Sequence, residues 1–353
     1  MIGAILVVIG ISVLILIHEL GHFLAAKMFG VRVDEFGIGF PPRLFGWRKG
    51  ETLYSFNLLP FGGFVKMQGE DGPEASGGIS EDGSRRFDSQ SIGRRALIIS
   101  AGVIMNVILG WFLLTAVFTA GSPPHLLVAN LAPDSPAAVA DLRIGDVIIE
   151  AVYGDKVLND PVTSREFIDL AWSAGDDKVF IKIIRGNDIL EKNITSRSAP
   201  PADQGPLGAG LAEIGWPSQN FFAAAASSFS QTFLILKETF GGFYFFFSRL
   251  FVDPGVVDSV SGPIGIFSIA LQASSLGFGY FVHLLALLSL NLAVLNILPL
   301  PALDGGRLVF LIIEKIRKSP VSSRWQGIAN ASGFFLLILL VIFITVKDVR
   351  NMF

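Results

Sequence analysis

His18-Glu19-Leu20-Gly21-His22 sets two imidazoles four residues apart, with a carboxylate beside the first. On a helix, positions i and i+4 share a face. Two imidazoles on that face can grip one Zn²⁺ ion, and the glutamate can accept a proton from the water activated there. Catalytic zinc takes three protein ligands and leaves one place for water, so this motif is two ligands and a base, with a ligand missing. The chain has four histidines and no cysteine. Cysteine ligands, thiolate catalysis and disulfides are therefore excluded.

The surroundings of the motif are unusual. Residues 1–17 carry no charge, so it closes an apolar run. An ionisable group in such a run costs about 2.5–3.5 kcal/mol on insertion scales. The plain alternative is an apolar helix whose end is capped by polar residues at the membrane interface. Asp304 is the carboxylate nearest the end of a later apolar stretch, where Pro299, Pro301, Gly305 and Gly306 break the helix. It could cap a helix over 307–317, or it could supply the missing ligand.

The elements that must position these residues are membrane helices. Of 353 residues, 51% are hydrophobic and 16% charged. Soluble proteins carry about 25% charged residues, so this balance implies a polytopic α-helical membrane protein with some water-soluble mass. The net charge of −3 offers no basic patch and argues against nucleic acid as a partner. Four stretches reach the roughly 20 residues a bilayer core needs. They run from about 2 into the motif, over 96–120, over 278–298 and over 328–346. The first lacks a basic flank before its apolar run and reads as a retained span, not a cleaved signal. Arginines and lysines cluster in the loops between the first and second spans and between the third and fourth. Both loops are therefore expected to be cytoplasmic, with the termini and residues 121–215 outside. From Ile2 to His18 is roughly 24 Å at about 1.5 Å per residue, against a core of about 30 Å, which places the motif near the cytoplasmic side.

The expected order is a first membrane half over 1–120, a soluble domain over 121–215, an interfacial amphipathic segment over 216–276 and a second membrane half over 277–353. Residues 51–67 read as a β-hairpin turning at Pro60-Phe61-Gly62-Gly63, either packing on itself in the cytosol or dipping towards the membrane boundary. Residues 69–91 are polar, acidic and glycine-rich, and read as a mobile loop. Ser100-Ala101-Gly102 and Asn106 read as small-residue and amide packing between helices. In the soluble domain, strands are expected near 126–130, 147–152, 178–185 and 189–194, with helices starting near 135 and 165. Phe229, Phe233, Leu236, Phe240, Phe243 and Phe247 make one aromatic helical face. If Asp304 is to meet His22, that helix must not cross the membrane.

Leu142-Arg143-Ile144-Gly145-Asp146-Val147-Ile148 resembles the turn of a bacterial-type PDZ domain, with Asp141 where glycine is usual. Such domains bind chain ends or extended peptides by strand addition. More of the chain resembles the site-2 protease family of intramembrane zinc metalloproteases. The residues that carry this are His18-Glu19-Leu20-Gly21-His22, Gly62-Gly63-Phe64-Val65-Lys66-Met67, Gly262-Pro263-Ile264-Gly265-Ile266 and Asn296-x-x-Pro299-x-Pro301-x-Leu303-Asp304-Gly305. They are most similar to its bacterial regulator-of-sigma-E branch, here with one PDZ domain and with Val103 where proline is usual.

The resemblance implies a fold of four transmembrane helices, a membrane-associated β-hairpin and an inserted α+β PDZ domain. It implies that His18, His22 and Asp304 bind Zn²⁺ and that Glu19 is the general base. Asn296, Pro299 and Pro301 are then substrate-binding positions. The implied activity is cleavage within transmembrane segments of single-pass proteins, such as anti-sigma factors or signal-peptide remnants, in the bacterial inner membrane during stress responses. Lipid surrounds the spans, and a peptide or chain end is the expected PDZ ligand. Two other readings stand beside it. One is a non-catalytic PDZ membrane adaptor with a structural metal site. The other is a membrane peptidase with a glutamate as third ligand and a cytosolic substrate.

Overall fold

A computed structural model describes residues 2–70, 85–160, 162–186, 188–202, 204–250 and 252–352. Most of the loop expected over 69–91 lies outside them. The chain divides into two compact units. The first comprises Met1–Thr115, Ala225–Phe267 and His283–Phe353; the second comprises Ala116–Ala224 and Ser268–Val282.

The first unit begins with α1, Ile2–Met28. Gly30 ends it at φ 74, a left-handed conformation that costs glycine little. The Val31 N–H then closes back on the Ala26 carbonyl at 2.8 Å. Next come two long strands, β1 (Val33–Lys49) and β2 (Thr52–Met67). The following helices are α2 (Ile92–Ala120), α5 (Phe221–Arg249), α6 (Pro263–Leu276), α7 (Phe278–Ile297), α8 (Asp304–Arg317) and α9 (Ser323–Met352). Several of them run across the boundary between the units. Among the described residues, four helices are long and apolar enough to cross a membrane: Gly3–Met28, Ile92–Ala120, Phe278–Ile297 and Ser323–Arg350. Helix α5 is not among them, although it has 29 residues. Within the first unit it meets α2 through Thr115 and Ser228, 2.6 Å apart, and α7 through Thr239 and Asn291, 2.9 Å apart.

The hairpin differs from its expected form. Its turn is at Gly50-Glu51, not at Pro60–Gly63, and residues 52–57 do not pair with 63–67. Instead Glu35–Ile38 lies between them, with Phe36 opposite both Tyr54 and Val65, and Gly37 opposite both Ser55 and Phe64. The run 33–49 contains three glycines and Pro41-Pro42, which conceals a strand from a reading based on propensity. Asn57 ties this arrangement together by donating to the Gly39 carbonyl at 3.1 Å. The sheet packs on α1 and α2 through Val33, Phe36, Val65, Met67, Ala26 and Ile98, all buried.

The second unit holds a six-stranded antiparallel sheet ordered β7-β6-β4-β3-β8, with β5 paired to β4. Its strands are β3 (Ser122–Leu131), β4 (Val147–Tyr153), β5 (Lys156–Asn159), β6 (Lys178–Arg185), β7 (Asp188–Thr195) and β8 (Ala209–Trp216). Two short helices accompany it. Ser135 caps α3 (Pro136–Val139), and Thr163 with Glu166 forms a capping box on α4 (Ser164–Ser173). Leu126, Ile148, Ile181, Ile183 and Phe167 fill the core. Asp141 sits at φ 56, a conformation Asp tolerates better than most residues. Its carboxylate meets Arg143, Arg185 and Lys192. Those contacts explain how an aspartate can stand where glycine was expected.

Candidate active site

Helix α1 carries His18 and His22 on one face, with ring centroids 4.8 Å apart. Both are buried. The third group arrives from the far end of the chain. After α7 the backbone turns sharply through Leu298–Leu303, with Ala302 at φ 72. A side chain on Gly305 would collide with the carbonyls of Ile297 and Leu298, and one on Gly306 with that of Leu300. Both glycines are therefore needed for α8 to start where it does. Asp304 is the first residue of α8. The capping position belongs to Leu303, which makes no side-chain cap bond, so the Asp304 carboxylate is not spent on capping. It points back to α1 instead.

The distances are short. Asp304 Oδ2 lies 3.0 Å from His18 Nε2 and 3.3 Å from His22 Nε2, and the two Nε2 atoms are 3.2 Å apart. Asp304 Oδ2 is buried without a hydrogen-bond partner. A zinc ion with ligands at about 2.0–2.1 Å in a tetrahedron requires ligand atoms roughly 3.3 Å apart. The three atoms fit that triangle, and a metal would satisfy the stranded oxygen. No glutamate joins this group among the described residues; the carboxylate that does is that of Asp304.

A second ring of contacts orients the donors. His22 Nδ1 is 2.9 Å from the Ile98 carbonyl. A carbonyl only accepts, so Nδ1 carries the hydrogen and Nε2 keeps its lone pair for a metal. Asn106 approaches His18 Nδ1 at 3.2 Å. Asn296, in the last turn of α7, brings its amide nitrogen to 3.3 Å from His18 Nε2. Pro301 packs against Gly333 of α9, and Pro299 lies with it in the turn between α7 and α8.

Glycines give the helices and the sheet access. Gly21 packs on the Ala101 carbonyl, and a Cβ on Gly102 would stand 2.5 Å from His22 Nε2 and 2.7 Å from His18 Cε1. Packing between helices was the expected role for Gly102 and Asn106. The structure adds direct contact with both imidazoles. Their four-residue spacing, which places them on one face of α2, was the signal available in the sequence. Gly63 of β2 reaches Glu19 in a similar way, its Cβ position lying 3.5 Å from Glu19 Cγ. The hairpin thus borders the carboxylate that neighbours the first imidazole.

The chain is similar over nearly its whole length to known proteins. "Putative zinc metalloprotease CPE1693" of Clostridium perfringens is 33% identical, over 96% of this chain and 96% of that protein. "Zinc metalloprotease RasP" of Shouchella clausii is 30% identical, over 97% of each. "Probable membrane metalloprotease ARASP2, chloroplastic" of Arabidopsis thaliana is 32% identical, over 97% of this chain and 78% of that protein. Residues 6–340 match peptidase family M50. With His18, His22 and Asp304 gathered inside that span, the chain belongs to peptidase family M50.

Proposed function

We propose that this protein is an intramembrane zinc endopeptidase of the site-2 type, hydrolysing peptide bonds inside transmembrane segments of single-pass proteins. The observation that carries this reading is the meeting of His18, His22 and Asp304 beside helices apolar enough to cross a membrane. The names of the relatives support zinc as the metal and proteolysis as the activity. Zinc, when bound by these three residues, supplies a nucleophilic water at neutral pH and a Lewis acid for the scissile carbonyl. Glu19 takes the proton of the attacking water and later passes it to the leaving amine. The Asn296 amide offers an N–H to the developing negative oxygen, and Pro299 and Pro301 shape the wall along which the substrate backbone lies.

Depth constrains the substrate. A transmembrane helix hides its carbonyls in internal hydrogen bonds, so the segment to be cut must unwind locally. The end of β2 at Gly63, against Glu19, is suited to hold the unwound stretch extended. In this reading the centre opens to the cytoplasmic side of a bacterial inner membrane, both termini and the second unit face outward, and α5 lies in the interface. The second unit is a PDZ-type domain. Its strand β8 ends the strand order and is the edge that a chain end or extended peptide would join. Membrane-bound regulators of stress responses and signal-peptide remnants are the substrate classes we favour.

The test is a comparison of membrane proteins in cells carrying the wild-type chain or Glu19→Gln. Single-pass proteins should accumulate uncut with the variant. Equal profiles, or accumulation of soluble proteins alone, would contradict the proposal.

A further inference from the structure

The two imidazoles are held in different ways. His22 Nδ1 rests on a backbone carbonyl, that of Ile98, which no substitution removes. His18 Nδ1 faces a side chain, that of Asn106, at 3.2 Å. Asn106 is fully buried. Its own backbone carbonyl accepts from Ser289 Oγ at 2.8 Å. Its side-chain Oδ1 is buried and has no partner.

His18 Nε2 faces Asp304 Oδ2 at 3.0 Å and His22 Nε2 at 3.2 Å, so its lone pair belongs to the metal. A neutral imidazole carries one hydrogen, which must then sit on Nδ1. With the amide nitrogen of Asn106 facing it, two N–H donors would stand opposite each other while a carbonyl oxygen lies buried and unpaired. Half a turn of the amide brings Oδ1 to Nδ1–H and makes one good hydrogen bond. This argument rests on the zinc reading above.

We propose that Asn106 is the positioning residue of His18, its side-chain oxygen accepting from Nδ1–H when zinc is bound. It thereby selects the tautomer whose Nε2 lone pair is free and fixes the ring plane. Gly102, one turn earlier on α2, leaves the room in which the two rings take that orientation. Helix α2 then contributes no metal ligand, yet sets how well α1 binds the metal.

The experiment measures zinc affinity of the purified full-length chain by chelator competition. It compares wild type, Asn106→Leu, Asn106→Asp and Ser289→Ala, with melting of each zinc-free form as the check on folding. Partners of metal-bound histidines are worth about 10–100-fold in metal affinity. Asn106→Leu removes the acceptor and should weaken zinc binding by that factor. Asn106→Asp keeps an acceptor oxygen at the same reach and should restore most of it. Ser289→Ala removes only the contact to the Asn106 backbone and should bind zinc as wild type does. If Asn106→Leu does not fold, Asn106→Ala takes its place. Wild-type zinc affinity in the leucine or alanine variant overturns the proposal. So does an aspartate variant as weak as the leucine one, which would reduce Asn106 to packing. A wild-type chain that binds no zinc would instead overturn the metalloprotease reading itself.

Discussion

Gly102 stands so close to His22 that a Cβ added there would lie 2.5 Å from the imidazole Nε2. The neighbouring atoms are ring ends, not backbone, so an added methyl would displace the metal-binding rings themselves. Gly102→Ala should therefore leave the fold standing while swinging His22 and His18 out of place. A misplacement of about 1 Å can cost 10²-fold in rate. The variant should show reduced zinc content and a cleavage rate lower by about that factor. Metal analysis beside a cleavage assay checks it, and full zinc occupancy with full activity would contradict it.

Gly305→Ala acts on Asp304 by another route. Its Cβ would meet the carbonyl oxygens of Ile297 and Leu298, and backbone atoms cannot rotate away. Overpacking of this kind costs about 1–3 kcal/mol. The turn between α7 and α8 should open and carry Asp304 from the imidazoles. A lower melting temperature together with zinc loss is the expected pair of results. Zinc loss without destabilisation would point away from the turn as the cause.

Asp146 anchors the second unit. It is 1% exposed and accepts from the Arg143 backbone at 2.8 Å and from Arg185 Nε and Nη2, each at 2.7 Å. Removing one partner of a buried ion pair costs about 3–5 kcal/mol. Asp146→Ala should speed hydrogen exchange across β4 and β6 in the full-length chain. Unchanged protection there would contradict the assignment.

Glu51, in the turn of the β1–β2 hairpin, accepts from Arg85 at 2.8 Å and from Lys27 at 2.7 Å. Those hydrogen bonds hold its carboxyl down to about 2. A carboxylate lowered in the folded state stabilises above its unfolded value, about 4.3, and loses that contribution as pH falls towards the folded one. Pepsin cleavage at the hairpin turn should therefore rise between pH 4.5 and 2 in the wild type more steeply than in Glu51→Gln. Parallel profiles would show that the tether does not matter.

What could be read from the sequence followed from how local each signal was. His18, Glu19 and His22 declare themselves because helical spacing and metal chemistry agree within five residues. The four apolar spans follow from length and hydropathy. Nothing local at Asp304 separates a ligand from a cap; the motif's missing third ligand pointed to it, and the turn at Leu298–Leu303 brings its carboxylate 3.0 Å from His18 Nε2. The hairpin was misread because the eye pairs neighbouring runs, whereas 33–38 inserts between 53–56 and 63–67. Strand β8 went unseen because Ala209–Trp216 carries glycine and few β-branched residues. Gly102 looked like packing and Gly63 like part of a turn, because a glycine's importance lies in the neighbour it admits, and that neighbour is distant in sequence.

The central claim is that Glu19 moves protons at a zinc centre held by three other residues. The direct measurement is zinc content and cleavage of a single-pass transmembrane substrate by purified wild type and Glu19→Gln, side by side in lipid. The account predicts equal zinc in both and a rate lower by about 10²- to 10⁴-fold in the variant, the span expected for loss of a general base. Zinc lost with the glutamine, or cleavage at the wild-type rate, would contradict it.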